Sequence, residues 1–135
     1  MIRIHEIEGI GPIYAAKLAA EGITTVEALL HRASTEEERM NLSKQTGIEL
    51  TKISKWVRMA DFFRIKGIGE EYSELLEASG LQCVQDLLKF EADQLWGNLQ
   101  EVNEKKKLVT QLPNVALVKS WIDHAYLLPK VLIFS

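Results

Sequence analysis

The chain contains one segment twice. Residues 7–30 read IEGIGPIYAAKLAAEGITTVEALL, and residues 65–88 read IKGIGEEYSELLEASGLQCVQDLL. At a constant offset of 58, eleven of these 24 positions are identical, among them both glycines of Gly-Ile-Gly and the tyrosine three residues on. A duplicated unit of this length restricts the fold to two copies of one supersecondary element. The match continues more weakly at an offset of 65. There Trp56 aligns with Trp121 and Ala60 with Ala125. The second copy therefore carries seven extra residues, and the polar stretch Gly97–Lys107 is where they are expected. The sequence divides into units 1–64 and 65–135.

Both units read as helical. After Gly11 and Gly69, apolar residues recur at helical spacing: Tyr14, Ala15 and Leu18, then Tyr72, Leu75 and Leu76. Gly22 and Gly80 stand where such helices end in a left-handed cap. Thr24 to Glu27 have the spacing of a capping box, and Ser34-Thr35-Glu36-Glu37-Glu38 repeat that signal. A long helix over Glu49–Arg64 places Leu50, Ile53, Val57 and Ala60 on one face. With no convincing strand, the fold class is all-α, as two paired units sharing that central helix.

Composition sets limits. The chain has 135 residues, 47% of them hydrophobic and 26% charged, which suits a packed domain and not disorder. A single cysteine, Cys83, makes no intramolecular disulfide, so a reducing, cytoplasmic setting is expected. No apolar run is long enough to span a bilayer, and Met1–Glu6 does not resemble a signal peptide. His5, His31 and His124 are scattered without metal-ligand spacing. Nothing picks out convergent carboxylates or a dinucleotide fingerprint. No metal, cofactor or catalytic role is expected.

Charge is uneven along the chain. From Arg39 to Lys66, seven bases meet two acids, a net +5. From Glu70 to Glu104, nine acids meet Lys89 alone, a net −8. A basic segment beside an acidic one serves either as a pair of solvated faces or as a working electrostatic surface.

The glycine turns offer a specific chemistry. In Gly-Ile-Gly followed at once by a helix, the first glycine supplies unusual backbone angles and the isoleucine enters the core. The second glycine leaves room for another backbone, and the new helix presents unpaired N–H groups suited to a phosphate. Ile7-x-Gly9-Ile10-Gly11 with Ala15 and Leu18, and Ile65-x-Gly67-Ile68-Gly69 with Ser73 and Leu76, resemble the helix-hairpin-helix motif. Thr46-Gly47-Ile48 is similar to a second, more degenerate hairpin, whose equivalent near Leu112-Pro113-Asn114 has lost its glycine. Over residues 5–129 the order of elements resembles the family known as domain of unknown function 4332. The Gly-Ile-Gly-x-x-Tyr start, the Thr-Gly-Ile turn, the Lys-Trp-Val helix and the late Leu-Gln-Glu-Val-Asn segment carry that resemblance.

The wider helix-hairpin-helix group implies binding of double-stranded DNA through its backbone, without sequence preference and without catalysis. On this reading the contacts are Gly9, Gly11, Lys17, Lys44, Gly47, Lys52, Lys55 and Arg58. The middle hairpin is the strongest phosphate candidate, with unpaired main-chain nitrogens beside Gly47 ringed by cations. Glu70 and Glu71, after the third turn, repel phosphate. The alternative is a protein-interaction module that keeps the hairpins as folding devices. Its surface would use Trp96, which has no counterpart in the first unit, and the apolar tail Val131, Leu132, Ile133 and Phe134, which is too short to span a bilayer and is expected to dock on the body or on a partner. Trp56 and Trp121 read as core, and Lys105–Lys107 as a solvated run.

Overall fold

The computed structural model describes residues 1–134. They form seven α-helices and two 3-10 turns. The helices are α1 (Pro12–Ala19), α2 (Val26–Arg32), α3 (Glu36–Thr46), α4 (Leu50–Phe62), α5 (Glu70–Ala78), α6 (Ala92–Lys106) and α7 (Val115–Ala125). The 3-10 turns are Ile4–Glu6 and Val84–Lys89. The only β-pairing among the described residues is an isolated antiparallel bridge of Arg3 with Thr25. The protein is all-α.

Local chemistry sets the helix limits. Pro12 opens α1, where its missing N–H costs no helical bond. Gly22 and Gly80 lie at φ +79° and +94°, the left-handed conformation expected after α1 and α5. Thr35 and Glu38 form a complete capping box on α3. The box expected at Thr24–Glu27 is shifted by one residue. Thr25 caps α2 by accepting the Ala28 N–H at 3.0 Å, and Glu27 instead accepts the Ile2 N–H at 3.3 Å. Helix α4 stops at Phe62, two residues before the expected Arg64, because Phe63 to Ile65 close into successive tight turns.

Two clusters of buried apolar side chains make the core. The first gathers Ile7, Ile10, Leu18, Ile23, Leu29, Ile53, Trp56 and Val57. The second gathers Ile65, Ile68, Leu75, Leu76, Leu87, Leu95, Leu99 and Trp121. Helix α4 supplies both, with Val57 and Ala60 in the first and Phe62 in the second. Two residues from the second half, Cys83 and Leu132, complete the first cluster. A buried ion pair stitches the junction. Asp61 accepts from Arg64 Nε at 2.8 Å and from the Val84 N–H at 2.8 Å. Arg64 Nη1 donates to the Pro129 carbonyl at 2.9 Å.

The repeated segments make the same contacts. Tyr14 packs edge-on against Trp56 with ring centroids 5.1 Å apart, and Tyr72 packs against Trp121 at 5.3 Å. Gly9 and Gly67, at φ +96° and +94°, each turn under the indole nitrogen of that tryptophan. A Cβ at Gly9 would lie 3.1 Å from Trp56 Nε1, and one at Gly67 3.4 Å from Trp121 Nε1. The first glycine of each turn therefore makes room for an indole.

The extra residues of the second half lie partly outside Gly97–Lys107. Helix α6 has 15 residues against 11 in α3. The remaining length is the loop 108–114, which follows Lys107 in the left-handed conformation at φ 50°. Asn103 bonds both polar groups of Val109 across this loop.

Candidate nucleic-acid interface

The starts of α1 and α4 lie side by side. Lys52, in the first turn of α4, holds its ammonium 5.9 Å from the ring centroid of Tyr14, in the first turn of α1. Tyr14 in turn packs on Trp56, one turn along α4. Two helix N-termini thus share one edge of the molecule with a lysine between them. Neither Gly11 nor Glu49 offers a side-chain cap. The amides of Gly11, Ile13 and Tyr14, and those of Glu49, Leu50 and Thr51, have no acceptor among the described residues. Gly11 is exposed and nothing lies within 4 Å of where its Cβ would stand. Unpaired helix-start amides and their dipoles attract anions.

The amides nearest Gly47 are not part of this set. The Gly47 N–H donates to the Ser43 carbonyl at 2.9 Å, because Gly47 is the left-handed cap of α3. The Ile48 N–H donates to Thr46 Oγ1 at 3.1 Å. Gly47 therefore shapes the turn and exposes no donor, contrary to its expected role as a phosphate ligand. The unpaired amides begin two residues later, at Glu49. Gly9 turns the face a side chain would occupy toward Trp56, while its own N–H has no acceptor among the described residues and the residue is exposed.

The basic residues divide in two. Lys17 and Lys44 are exposed, and no ion pair engages either of them or Lys52 among the described residues. Arg58 is bound. Its Nε and Nη2 both reach Glu77 Oε2 of α5 at 3.1 Å, and its guanidinium lies 5.5 Å from the Phe134 ring centroid. Lys55 faces Glu74 of α5. Burial raises the Glu74 carboxyl above its ordinary pKa and Glu8 adds to the rise, while Lys55 pulls it down. Between α4 and α5, one ion pair, Arg58 with Glu77, joins the positive stretch to the negative one among the described residues. Free positive charge remains at the turn end, accompanied there by the exposed acids Glu8 and Glu49.

Of the residues expected at a protein interface, Ile133 is 45% exposed, and the others pack at least partly against this chain. Trp96 is half-buried, and its indole N–H donates to the Pro113 carbonyl at 2.7 Å. It braces the loop that only the second half possesses, which explains why the first half has no such tryptophan. Leu132 is buried in the first cluster. The Ile133 N–H donates to the Ser34 carbonyl at 2.9 Å, and Arg39 Nη2 donates to the Ile133 carbonyl at 2.6 Å. Arg39 also stacks 4.1 Å above Phe134. Val131 packs on the same cluster. The tail is a strap from the second half to the first.

The sequence did not single out Arg39, which is 1% exposed and donates to the Ala33 carbonyl at 2.9 Å as well. Its only signal was an arginine among acids at a helix start. Among the described residues, no cluster of three or more His, Cys, Asp or Glu is placed to hold a metal ion. No helix among them is long and apolar enough to cross a membrane.

Residues 8–128 match the family described as Domain of unknown function (DUF4332). No curated protein and no solved structure matches the chain.

Proposed function

The chain belongs to the DUF4332 family, and we propose that it is a nonenzymatic helix-hairpin-helix module that binds duplex DNA without sequence preference. The observation that carries this reading is Lys52 poised over Tyr14, which sets two uncapped helix starts side by side with a cation between them. Phosphates on one strand would meet the amides of Gly11, Ile13 and Tyr14. Phosphates on the other would meet those of Glu49, Leu50 and Thr51. Lys44, Lys52 and Lys17 supply charge. Backbone amides read phosphate position and no bases, so the binding is sequence-tolerant. Lys55, which joins no ion pair among the described residues, adds to this charge, whereas Arg58 takes no part because Glu77 of α5 engages it. Cytoplasmic residence fits the reduced Cys83, which is buried in the first cluster.

Three or four lysine contacts predict a log-log salt slope of about −3 and an affinity of roughly micromolar or weaker. Anisotropy of a labelled duplex at two salt concentrations measures both. Lys52→Glu should weaken binding about tenfold, equivalent to ~1.4 kcal/mol. Lys119→Glu, the same charge change on exposed α7, should leave it unchanged. Absence of saturable binding at low salt, or equal losses for the two variants, overturns the reading.

A protein-interaction role draws on a separate observation. Tyr126 and Leu127, just beyond α7, are 68% and 80% exposed.

A further inference from the structure

The molecule contains the same cleft twice, once covered and once open. Each lies between a Gly-Ile-Gly turn and the helix carrying the partner tryptophan. In the first half the cleft has Glu8 and Gly9, which stay exposed at the rim, against Lys52, Lys55 and buried Met59. Helix α5 lies across it, with Glu74 facing Glu8 and Lys55, and Glu77 paired to Arg58. Met59 and Phe62 are fully buried beneath this cover.

In the second half the equivalent positions are Lys66 and Gly67 against Leu117, Ser120 and His124. Lys66, Gly67, Leu117, Ser120 and His124 line an open cavity of about 470 Å³. Its polar side chains are Lys66, His124 and Ser120, whose hydroxyl already donates to the Leu117 carbonyl at 2.6 Å. The His124 Nδ1 accepts the Lys66 N–H at 3.0 Å, so its Nε2 carries a proton toward the outside. Lys66 is exposed and joins no ion pair among the described residues. Leu127, at the place of buried Phe62, is 80% exposed. Asp123, at the place of Arg58, is held by Lys119 at 3.1 Å.

We infer that the Gly67–α7 cleft is the docking site for an amphipathic helix of a partner protein, seated as α5 is seated on α4. The internal precedent fixes the chemistry of that helix. Where α5 presents Glu74, the partner presents an acid to Lys66 and His124. One turn on, where α5 presents Glu77 to Arg58, the partner presents a base to Asp123. An apolar residue near the helix start covers Leu127. Burial of that leucine and the cleft floor supplies the attraction, and the opposite charges set register and direction. The inference is independent of DNA binding, because it uses the other half of the molecule.

The probe is a synthetic peptide of residues 69–80 of this chain carrying Glu77→Lys, added to the full-length isotope-labelled protein. Saturable amide shifts are expected at Lys66, Gly67, Ser120, His124 and Leu127. Lys66→Glu should weaken the peptide at least tenfold, and a peptide that also carries Glu74→Lys should recover the loss. Leu127→Asp should weaken it comparably. Both residues are exposed, and unchanged spectra of the free variants verify their folding. The proposal is overturned by no saturable shift at about 1 mM peptide, by shifts confined to the first half, or by equal binding to the Lys66→Glu variant.

Discussion

The two halves agree in what they bury and differ in what they show. Each places a glycine under a tryptophan and a tyrosine against it, within 0.2 Å of the same ring spacing. Outside that kernel the likeness ends. The first half has a lysine between two open helix starts. The second has Glu70 and Glu71 on one helix start and an asparagine cap on the other, where Asn114 Oδ1 accepts the Leu117 N–H at 2.8 Å. Packing tolerates few alternatives, whereas a solvated side chain can change sign at little cost in stability. The common kernel therefore specifies the fold, and the divergent surfaces are where the binding properties differ.

The largest break in the comparison is Asp61. Its counterpart by position is Tyr126, which is 68% exposed. Asp61 is fully buried, and it holds Arg64 and the Val84 N–H across the junction of the halves. Asp61→Ala leaves the buried Val84 N–H without its acceptor and Arg64, which is partly exposed, with only its Nη1 bond to the Pro129 carbonyl. A loss of about 3 kcal/mol is expected, read as a drop in the urea midpoint. Tyr126→Ala should stay within ~0.5 kcal/mol. Similar losses for both variants would mean that the ion pair does not hold the junction.

The glycines give the next largest effects. Gly9→Ala and Gly67→Ala both force an L residue into the left-handed region, at about 1–2 kcal/mol. Gly9→Ala should cost more, because its methyl meets Trp56 Nε1 at 3.1 Å while that at Gly67 meets Trp121 Nε1 at 3.4 Å. Gly11→Ala has φ −83° and open space, so only the preference for glycine over alanine at an N-cap opposes it, at about 0.5 kcal/mol. On the DNA reading it should still weaken duplex binding, since the methyl stands where a phosphate approaches. Thermal unfolding and anisotropy on the three variants separate the packing glycines from the exposed one. Equal stability losses at Gly9 and Gly11 would contradict this division.

These cases show what the sequence could reveal. The repeat placed the helices, the left-handed caps at Gly22 and Gly80 and the paired tryptophans, because each depends on local spacing. It could not show that the bases of α4 face the acids of α5. That pairing depends on the crossing of two helices, and a charge run reads alike whether it is solvated or matched. Trp96 looked like an interface group for the same reason, and the sequence left open whether the tail docks on the body or on a partner. Their partners, the Pro113 carbonyl and Arg39, are remote in the chain, 94 residues away for the contact of Arg39 with Ile133. Gly47 was legible as a turn residue, but its N–H was claimed by the cap that makes the turn.

The smallest expected effect contrasts the helix starts of α3 and α6. Thr35 and Glu38 cap α3 reciprocally, whereas α6 begins at Glu91 with no side-chain cap bond. Hydrogen bonds from the Thr35 and Ser34 hydroxyls hold the Glu38 carboxyl below its ordinary pKa, opposed by slight burial. A carboxyl whose folded pKa is depressed stabilises the protein above its unfolded value and loses that contribution as pH falls through the folded value. Glu38→Gln should therefore cost about 0.5 kcal/mol at neutral pH, a small figure because the group is exposed and screened. The difference from the parent should vanish in acid, below the depressed pKa. Urea midpoints of Glu38→Gln and the parent across pH 3 to 7 would test this, and a Glu38→Gln deficit that persists unchanged in acid would assign the effect to shape and not to charge.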